Sequence, residues 1–308
     1  MGVNIIIFGK NSIIAQNFIK QAHLIKDNVI TISRSPKNKN DFLCNIGEFI
    51  SPKDINLIVS KIKQKLIFKR TIFILFSWHG VPRMVDKSGD IWSINMHIIQ
   101  NFIQLTEKIF PSRIIFLSSA GSLYPENIKS YKFSENDIPL PQSTYGRQKL
   151  LSEKLLTDFA NTHHQNLTIL RISSAYGFDR RFSDQGVINK WLYSAINEKK
   201  LDLYNSKESQ INFVSFDQIS NAIILCIKND LNGIYNIGTE LSISLEEVIE
   251  EIKYITNKKI LIEEIDNSER YFDIDTNKFS SKTGEKFHLK LRENMKFIYK
   301  SITKEISH

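Results

Sequence analysis

Tyr145 and Lys149 stand four residues apart in the run Tyr145-Gly146-Arg147-Gln148-Lys149, a spacing that puts both side chains on one face of a helix. An ammonium held beside a phenol favours the phenolate, so the lysine is expected to draw the tyrosine down from its ordinary pKa of about 10 toward neutrality. A phenol tuned in this way serves as an acid or a base at cellular pH. The spacing alone arises often by chance, and its meaning depends on the elements that hold it.

Other polar groups collect at the ends of apolar runs. Arg113 to Leu117 reads as a strand, and it runs into Ser118-Ser119-Ala120-Gly121-Ser122-Leu123-Tyr124-Pro125. Hydroxyls and a flexible glycine therefore fall at the carboxyl edge of the sheet, where open α/β sheets bind ligands.

The chain opens on the apolar run Val3 to Phe8, followed by Gly9-Lys10-Asn11-Ser12-Ile13-Ile14-Ala15 and an amphipathic stretch ending near His23. This reads as strand, tight turn and helix. Gly9, Ser12 and Ala15 have the spacing of a dinucleotide-binding turn, although Ser12 and Ala15 stand where glycines are usual. In such a turn the backbone approaches a pyrophosphate and the helix N-terminus supplies N–H donors. The candidate contacts are Gly9, Asn11, Ser12, Ile13 and Ile14; an ordinary βα turn is the plain alternative.

The next strand, Val29 to Ile32, enters Ser33-Arg34-Ser35 with no carboxylate where an adenosine ribose would find one. A guanidinium flanked by hydroxyls suits the extra phosphate of NADP, which a carboxylate would repel. NADP is favoured over NAD; if the cofactor is NAD, Arg34 stacks on adenine or is solvated. Further strands are expected at Thr71 to Phe76 and Leu167 to Leu170, with helices near Pro52 to Lys65, Asp90 to Phe110 and Tyr145 to Thr162. That alternation argues an α/β fold with a parallel sheet covered on both faces.

Taken together these residues resemble the extended short-chain dehydrogenase/reductase family, and within it the nucleotide-sugar epimerases and dehydratases such as UDP-glucose 4-epimerase. The resemblance rests on the turn, the Tyr-Lys pair, the serine-rich segment 118–124 and Asn95. It extends to Leu170-Arg171-Ile172-Ser173-Ser174-Ala175-Tyr176-Gly177, Gln185-Gly186-Val187-Ile188, Asn212-Phe213-Val214-Ser215-Phe216-Asp217 and Gly233-Ile234-Tyr235-Asn236-Ile237-Gly238.

It implies a Rossmann-type doubly wound parallel sheet with a smaller C-terminal substrate-binding lobe. Residues 1–172 would form the dinucleotide-binding core, 212–238 would return to it, and 173–211 with 239–308 would build the lobe. It implies Tyr145 and Lys149 as catalytic groups, with Trp78, His79 and Asn95 beside the cofactor. The family's catalytic Ser or Thr, four residues before the tyrosine matched by Tyr124, is here Ala120, and Ser119 or Ser122 is left to supply the hydroxyl, Ser119 narrowly favoured. On the substrate diphosphate, Ser174 stands for an asparagine and Ile211 for an arginine. Loss of a guanidinium contact costs about 1.5–3 kcal/mol, and Arg180, Arg181 or Arg270 is expected to take its place. The family's dimer helices match 90–110 and 145–162, so a homodimer is expected.

By resemblance, the implied activity is NAD(P)-dependent epimerisation of a nucleotide-activated sugar. The alternatives are an NADPH-dependent 4-ketoreductase of a nucleotide-linked deoxysugar, favoured by Ser33-Arg34, and a non-catalytic NAD(P)-binding sensor or scaffold. A 4,6-dehydratase is disfavoured, because Ala120-Gly121-Ser122 carries no acid.

Composition sets outer limits. The 308 residues, 42% apolar and 24% charged, suit a folded globular chain. Cys44 and Cys226 lie in apolar sequence and read as reduced and structural, as in a cytoplasmic protein. No apolar run is long enough to span a membrane, and the first strand begins too near Met1 for a signal peptide. The net charge of +8 is scattered rather than striped, which disfavours nucleic acid. Seven histidines occur without ligand-spaced partners, so no metal is expected, and no Gly-x-Ser-x-Gly elbow marks a hydrolase. The tail from Asp275 carries two helical patterns, with Phe297 and Ile298 as expected packing residues.

Overall fold

The run at 4–8 and the run at 71–75 have no polar face to turn to water, so each must be covered on both sides. Every residue in both is buried. The computed structural model describes residues 2–22, 27–34, 41–81, 84, 86–126, 128–179 and 186–306.

In chain order the elements are β1 (Asn4–Phe8), α1 (Ile13–Ala22), β2 (Asn28–Ser33), β3 (Asp41–Leu43), α2 (Pro52–Lys63), β4 (Thr71–Leu75), α3 (Asp90–Ile109), β5 (Arg113–Ser119), α4 (Ala120–Leu123), β6 (Lys132–Phe133), α5 (Thr144–Thr162) and β7 (Leu167–Ile172). They continue as β8 (Ser174–Tyr176), α6 (Val187–Ile196), β9 (Leu201–Leu203), β10 (Gln210–Ser215), α7 (Phe216–Lys228), β11 (Gly233–Ile237), β12 (Ser242–Ser244), α8 (Leu245–Thr256), β13 (Ile262–Glu264), β14 (Tyr271–Ile274), α9 (Asn277–Thr283) and α10 (Leu291–Ile306). His23, at the expected end of the first helix, lies outside the described residues.

The chain divides into two compact units. The first comprises Met1–Leu123, Pro139–Arg171 and Ser220–Tyr235. Its seven-stranded sheet runs β11-β7-β5-β4-β1-β2-β3, the doubly wound α/β arrangement. β1 pairs in parallel with β2 on one side and β4 on the other, so the strand order reverses at β1 and β4. Ligands of such sheets bind where the order reverses, beyond the carboxyl ends. Asn4 ties the opposite ends of these strands together, donating to Phe68 O at 2.7 Å and accepting from Asn28 Nδ2 at 2.9 Å. Phe8, Phe73 and Phe102 interlock in the core, with the Phe8 centroid 5.0 and 4.9 Å from the other two.

Two local expectations give way here. β5 runs on to Ser119, and residues 120–123 form a helical turn. Gly121 is therefore part of a helix rather than of a flexible loop.

The second unit comprises Tyr124–Ile138, Ile172–Ile219 and Asn236–His308. Its strands run β12-β10-β14-β6 with β8 on β10, beside a β13-β9 pair. Helices α6, α8 and α10 enclose Trp191, Ile249 and Met295. In α10 the buried positions are Met295, Ile298 and Ile302, while Phe297 is 62% exposed. Ile298 is thus a packing residue and Phe297 is not, because the 295, 298, 302 stripe turns 297 outward. Among the described residues no helix is long and apolar enough to cross a membrane.

Candidate active site

The turn after β1 is built on close backbone approach. Gly9 has φ +93°, and a β-carbon there would lie 2.5 Å from the backbone nitrogen of Ser77. Only glycine accepts both conditions. Phe76 N and Ser77 N both donate to Phe8 O at 2.9 Å, which fixes the exit of β4 against this turn. α1 follows at Ile13, with the positive end of its dipole at the same sheet edge. Asn11 is exposed, and Ser12, Ile13 and Ile14 are half-buried.

Lys10 pairs with the buried carboxylate of Asp41, whose other oxygen accepts the Thr31 hydroxyl at 2.5 Å. Asp41 is not apparent from the sequence, since it lies 31 residues from Lys10. Ser33 is buried and its carbonyl accepts Cys44 N at 3.0 Å, whereas Arg34 is exposed. Ser35 lies outside the described residues.

The loop after β4 carries Trp78 and His79. Buried Asn95 on α3 accepts from His79 N at 2.9 Å and donates to His79 O at 3.0 Å and to Gln148 Oε1 at 2.7 Å. These bonds commit Asn95 to holding the loop against α5. Trp78 meets Tyr145 edge to face, with centroids 6.3 Å apart, and its buried Nε1 has no partner among the described residues.

Ser143 caps α5, accepting from Gly146 N at 3.0 Å, and so starts the helix just before Tyr145. Lys149 is 4% exposed and donates to Leu117 O at 2.8 Å. Burial pushes its ammonium down to about 7, against the pull of Glu153 one turn further on. That carboxylate is forked by Arg171, with Nη2 to Oε2 at 2.8 Å and Nε to Oε1 at 3.2 Å.

The expected lowering of the Tyr145 pKa is not found. Burial pushes this phenol up, well above its ordinary value. Lys149 sits 5.8 Å from the Tyr145 ring centroid and 3.9 Å from that of Trp78, so desolvation of the phenol outweighs the lysine's field.

Ala120 is fully buried. The hydroxyls on either side converge, with Ser119 Oγ donating to Ser122 Oγ at 3.2 Å. A β-carbon on Gly146 would meet Ser122 O, so the residue next to Tyr145 is in backbone contact with the serine segment. The first unit therefore brings together Gly9, Trp78, Ser119, Ser122, Tyr145 and Lys149 at one sheet edge.

In the second unit, Ser174 opens β8 opposite Phe213, and Ile211 is buried within β10. Arg270 pairs with Glu126, Nη2 to Oε1 at 2.6 Å, and its buried Nε has no partner among the described residues. Arg180, Arg181 and Gln185 lie outside the described residues. Cys44 and Cys226 are free and buried. Among the described residues no cluster of His, Cys, Asp and Glu could hold a metal ion.

Comparison with known proteins places this geometry in a family. A dTDP-4-dehydro-6-deoxyglucose reductase of Escherichia coli is 34% identical over 152 residues, 49% of this chain and 48% of that enzyme. The alignment thus spans about half the length of the reductase. A putative UDP-glucose 4-epimerase of Methanocaldococcus jannaschii is 26% identical over 236 residues, 75% of this chain and 73% of that protein. The crystal structure of UDP-glucuronic acid 4-epimerase from Bacillus cereus in complex with UDP-glucuronic acid and NAD is alike in fold. Its TM-score is 0.81 at 19% identity, with 98% of this chain and 99% of that one covered. Residues 5–238 match the family model itself, and the chain belongs to the NAD dependent epimerase/dehydratase family.

Proposed function

We propose that this chain is a reductase that uses NADPH or NADH to convert a keto group on a nucleotide-activated sugar to a hydroxyl. The observation that carries the reading is the convergence at one sheet edge of half-buried Tyr145, the Lys149 ammonium and the Ser119–Ser122 hydroxyl pair, a set that can give a proton to a developing alkoxide. The similarity to a reductase of a nucleotide-linked keto sugar supports the same direction.

The residues at the sheet edge fit a nicotinamide dinucleotide. Gly9 leaves a turn that a β-carbon would fill, α1 begins beside it, and Trp78 Nε1 is a buried donor without a partner among the described residues. A cofactor bound there supplies the hydride chemistry, and the protein supplies placement. Arg34, exposed at the end of β2, is proposed to take the 2′-phosphate of NADP, with Ser33 beside it.

Tyr145 donates its proton to the sugar oxygen as the carbonyl becomes an alcohol. The phenolate left behind is stabilised by the Lys149 ammonium, whose charge is in turn favoured by Glu153. Ser119 Oγ and Ser122 Oγ lie 3.2 Å apart and share a hydrogen bond, and one of the two hydroxyls is proposed to turn its proton to the same sugar oxygen in the place of the side chain that Ala120 lacks. Ser122, whose backbone is in contact with Gly146 beside Tyr145, is proposed as the polarising hydroxyl and Ser119 as its support. On the second unit, Arg270 is proposed for the nucleotide diphosphate, in exchange for Glu126.

Epimerisation is the second reading, supported by the match to a putative 4-epimerase over three quarters of the chain. It uses the same Tyr145 in both directions and consumes no cofactor. Tyr145→Phe tests the catalytic reading common to both. It is expected to cut kcat by at least about 100-fold while cofactor affinity stays unchanged; turnover equal to wild type would refute it.

A further inference from the structure

We propose that Trp78 is a positioning residue for Lys149, whose ammonium it holds on the face of its indole ring beside Tyr145. This rests on the reading of Tyr145 and Lys149 as the reacting pair. Lys149 Nζ lies 3.9 Å from the Trp78 centroid, 4.8 Å from that of Phe116 and 5.8 Å from that of Tyr145. All three fall within the roughly 6 Å reach of cation–π attraction, which is strongest for tryptophan. The hydrogen bond to Leu117 O uses one of the three N–H groups of the ammonium. No carboxylate forms an ion pair with Lys149 among the described residues, and Glu153, one turn further along α5, is instead forked by Arg171.

The contact is fixed at both ends by the same buried amides. The Trp78 loop is held through His79 to Asn95, and Asn95 bonds Gln148, the neighbour of Lys149 on α5. Among the described residues the indole has no hydrogen bond, since Nε1 is buried and finds no partner there. Trp78 as a whole is half-buried, and with no bond from Nε1 to orient it, the ring is positioned by what lies against its faces and edge. One face carries the ammonium, and the ring also meets Tyr145 at an interplanar angle of 80°.

The groups around Lys149 define what a titration reads. α5 contributes Tyr145 and Glu153, and β7 contributes Arg171 behind Glu153. β5 contributes the Phe116 ring and the Leu117 carbonyl, the loop contributes Trp78 and the adjoining His79, and α3 contributes the neutral Asn95. Burial brings the ammonium down to about 7, so it changes charge within an accessible range. An ammonium on an indole face perturbs that ring's emission, and its neutralisation is visible in fluorescence.

The test titrates intrinsic fluorescence of the cofactor-free protein in wild type, Lys149→Met and Trp78→Leu, with Trp92 and Trp191 retained throughout as constant background. Wild type is expected to show a transition near pH 7 that is absent from both variants. A second arm reads the pH profile of kcat/KM. Trp78→Leu is expected to move the alkaline limb about one pH unit lower, with Trp78→Phe in between because it keeps a smaller aromatic face. A wild-type titration without a transition, a transition that survives Lys149→Met, or a Trp78→Leu profile identical to wild type overturns the proposal. The fluorescence arm needs no substrate, so its result stands even if the protein proves not to be a reductase.

Discussion

Gly146 and Ser122 pack backbone to backbone: a β-carbon on Gly146 would lie 2.1 Å from the Ser122 carbonyl oxygen and 2.9 Å from Pro141 Cβ. The helix that carries Tyr145 and the turn that carries Ser122 are therefore held at a separation that only glycine allows.

Gly146→Ala forces these backbones apart. Overpacking of this kind costs about 1–3 kcal/mol, so Tm falls by several degrees. Misplacing the two hydroxyls by even an ångström is expected to lower kcat/KM by about 100-fold, more than the stability loss explains at a temperature where the variant is folded. Thermal unfolding and steady-state kinetics on one preparation check both effects. Wild-type kinetics in a folded variant would show that the contact has no bearing on the site.

Lys149→Met separates function from stability. Between pH 10.5 and about 7 the unfolded chain carries a proton on Lys149 that the folded chain lacks, so stability falls as pH drops through that window and the penalty is constant below it. Removing the charge relieves a cost of a few kcal/mol at most. The variant is expected to be inactive, with a Tm roughly 5 °C higher at neutral pH and a gain that shrinks as pH rises toward 10.5. A Tm gain that grows with pH would contradict the assigned burial.

Arg34→Glu tests the cofactor assignment. If Arg34 binds a 2′-phosphate, loss of a charge-assisted contact of about 1.5–3 kcal/mol raises the KM for NADPH roughly 10- to 100-fold and leaves that for NADH nearly unchanged. Equal effects on both cofactors would rule out an NADP preference set by this residue.

The strand-turn-helix entry, the alternation of later strands and helices, and the Tyr145-Lys149 spacing were legible in the sequence because each is a local pattern. Local spacing did not reveal the ion pair of Lys10 with Asp41 or the fork of Arg171 on Glu153, since those partners meet only when β3 and β7 take their places in the sheet. Tyr145 shows the limit most clearly. Sequence spacing gives the lysine's proximity but not the burial that raises the phenol. Phe297 is a smaller case of the same kind: several helical stripes could be drawn through the tail, and only packing selects the one through Met295, Ile298 and Ile302.

Glu126 and Arg270 test the proposed diphosphate contact. The Glu126 carboxylate lies 2.6 Å from the guanidinium, so if Arg270 takes the diphosphate as proposed, that ligand competes with Glu126 for it. Glu126→Gln is expected to tighten binding of a nucleoside diphosphate several-fold at low salt, and Arg270→Met to weaken it about 10-fold or more. Calorimetry with UDP and dTDP measures both. Tighter binding by Arg270→Met would exclude that residue from the diphosphate site.

Reduction rather than epimerisation is tested most directly by the ratio of reduced nicotinamide oxidised to sugar alcohol formed, with a nucleotide-linked 4-keto-6-deoxysugar as substrate. Equal amounts are expected, with both falling together in Tyr145→Phe. A new sugar stereoisomer that accumulates over many turnovers while the reduced cofactor is untouched would contradict reduction as the activity of this chain.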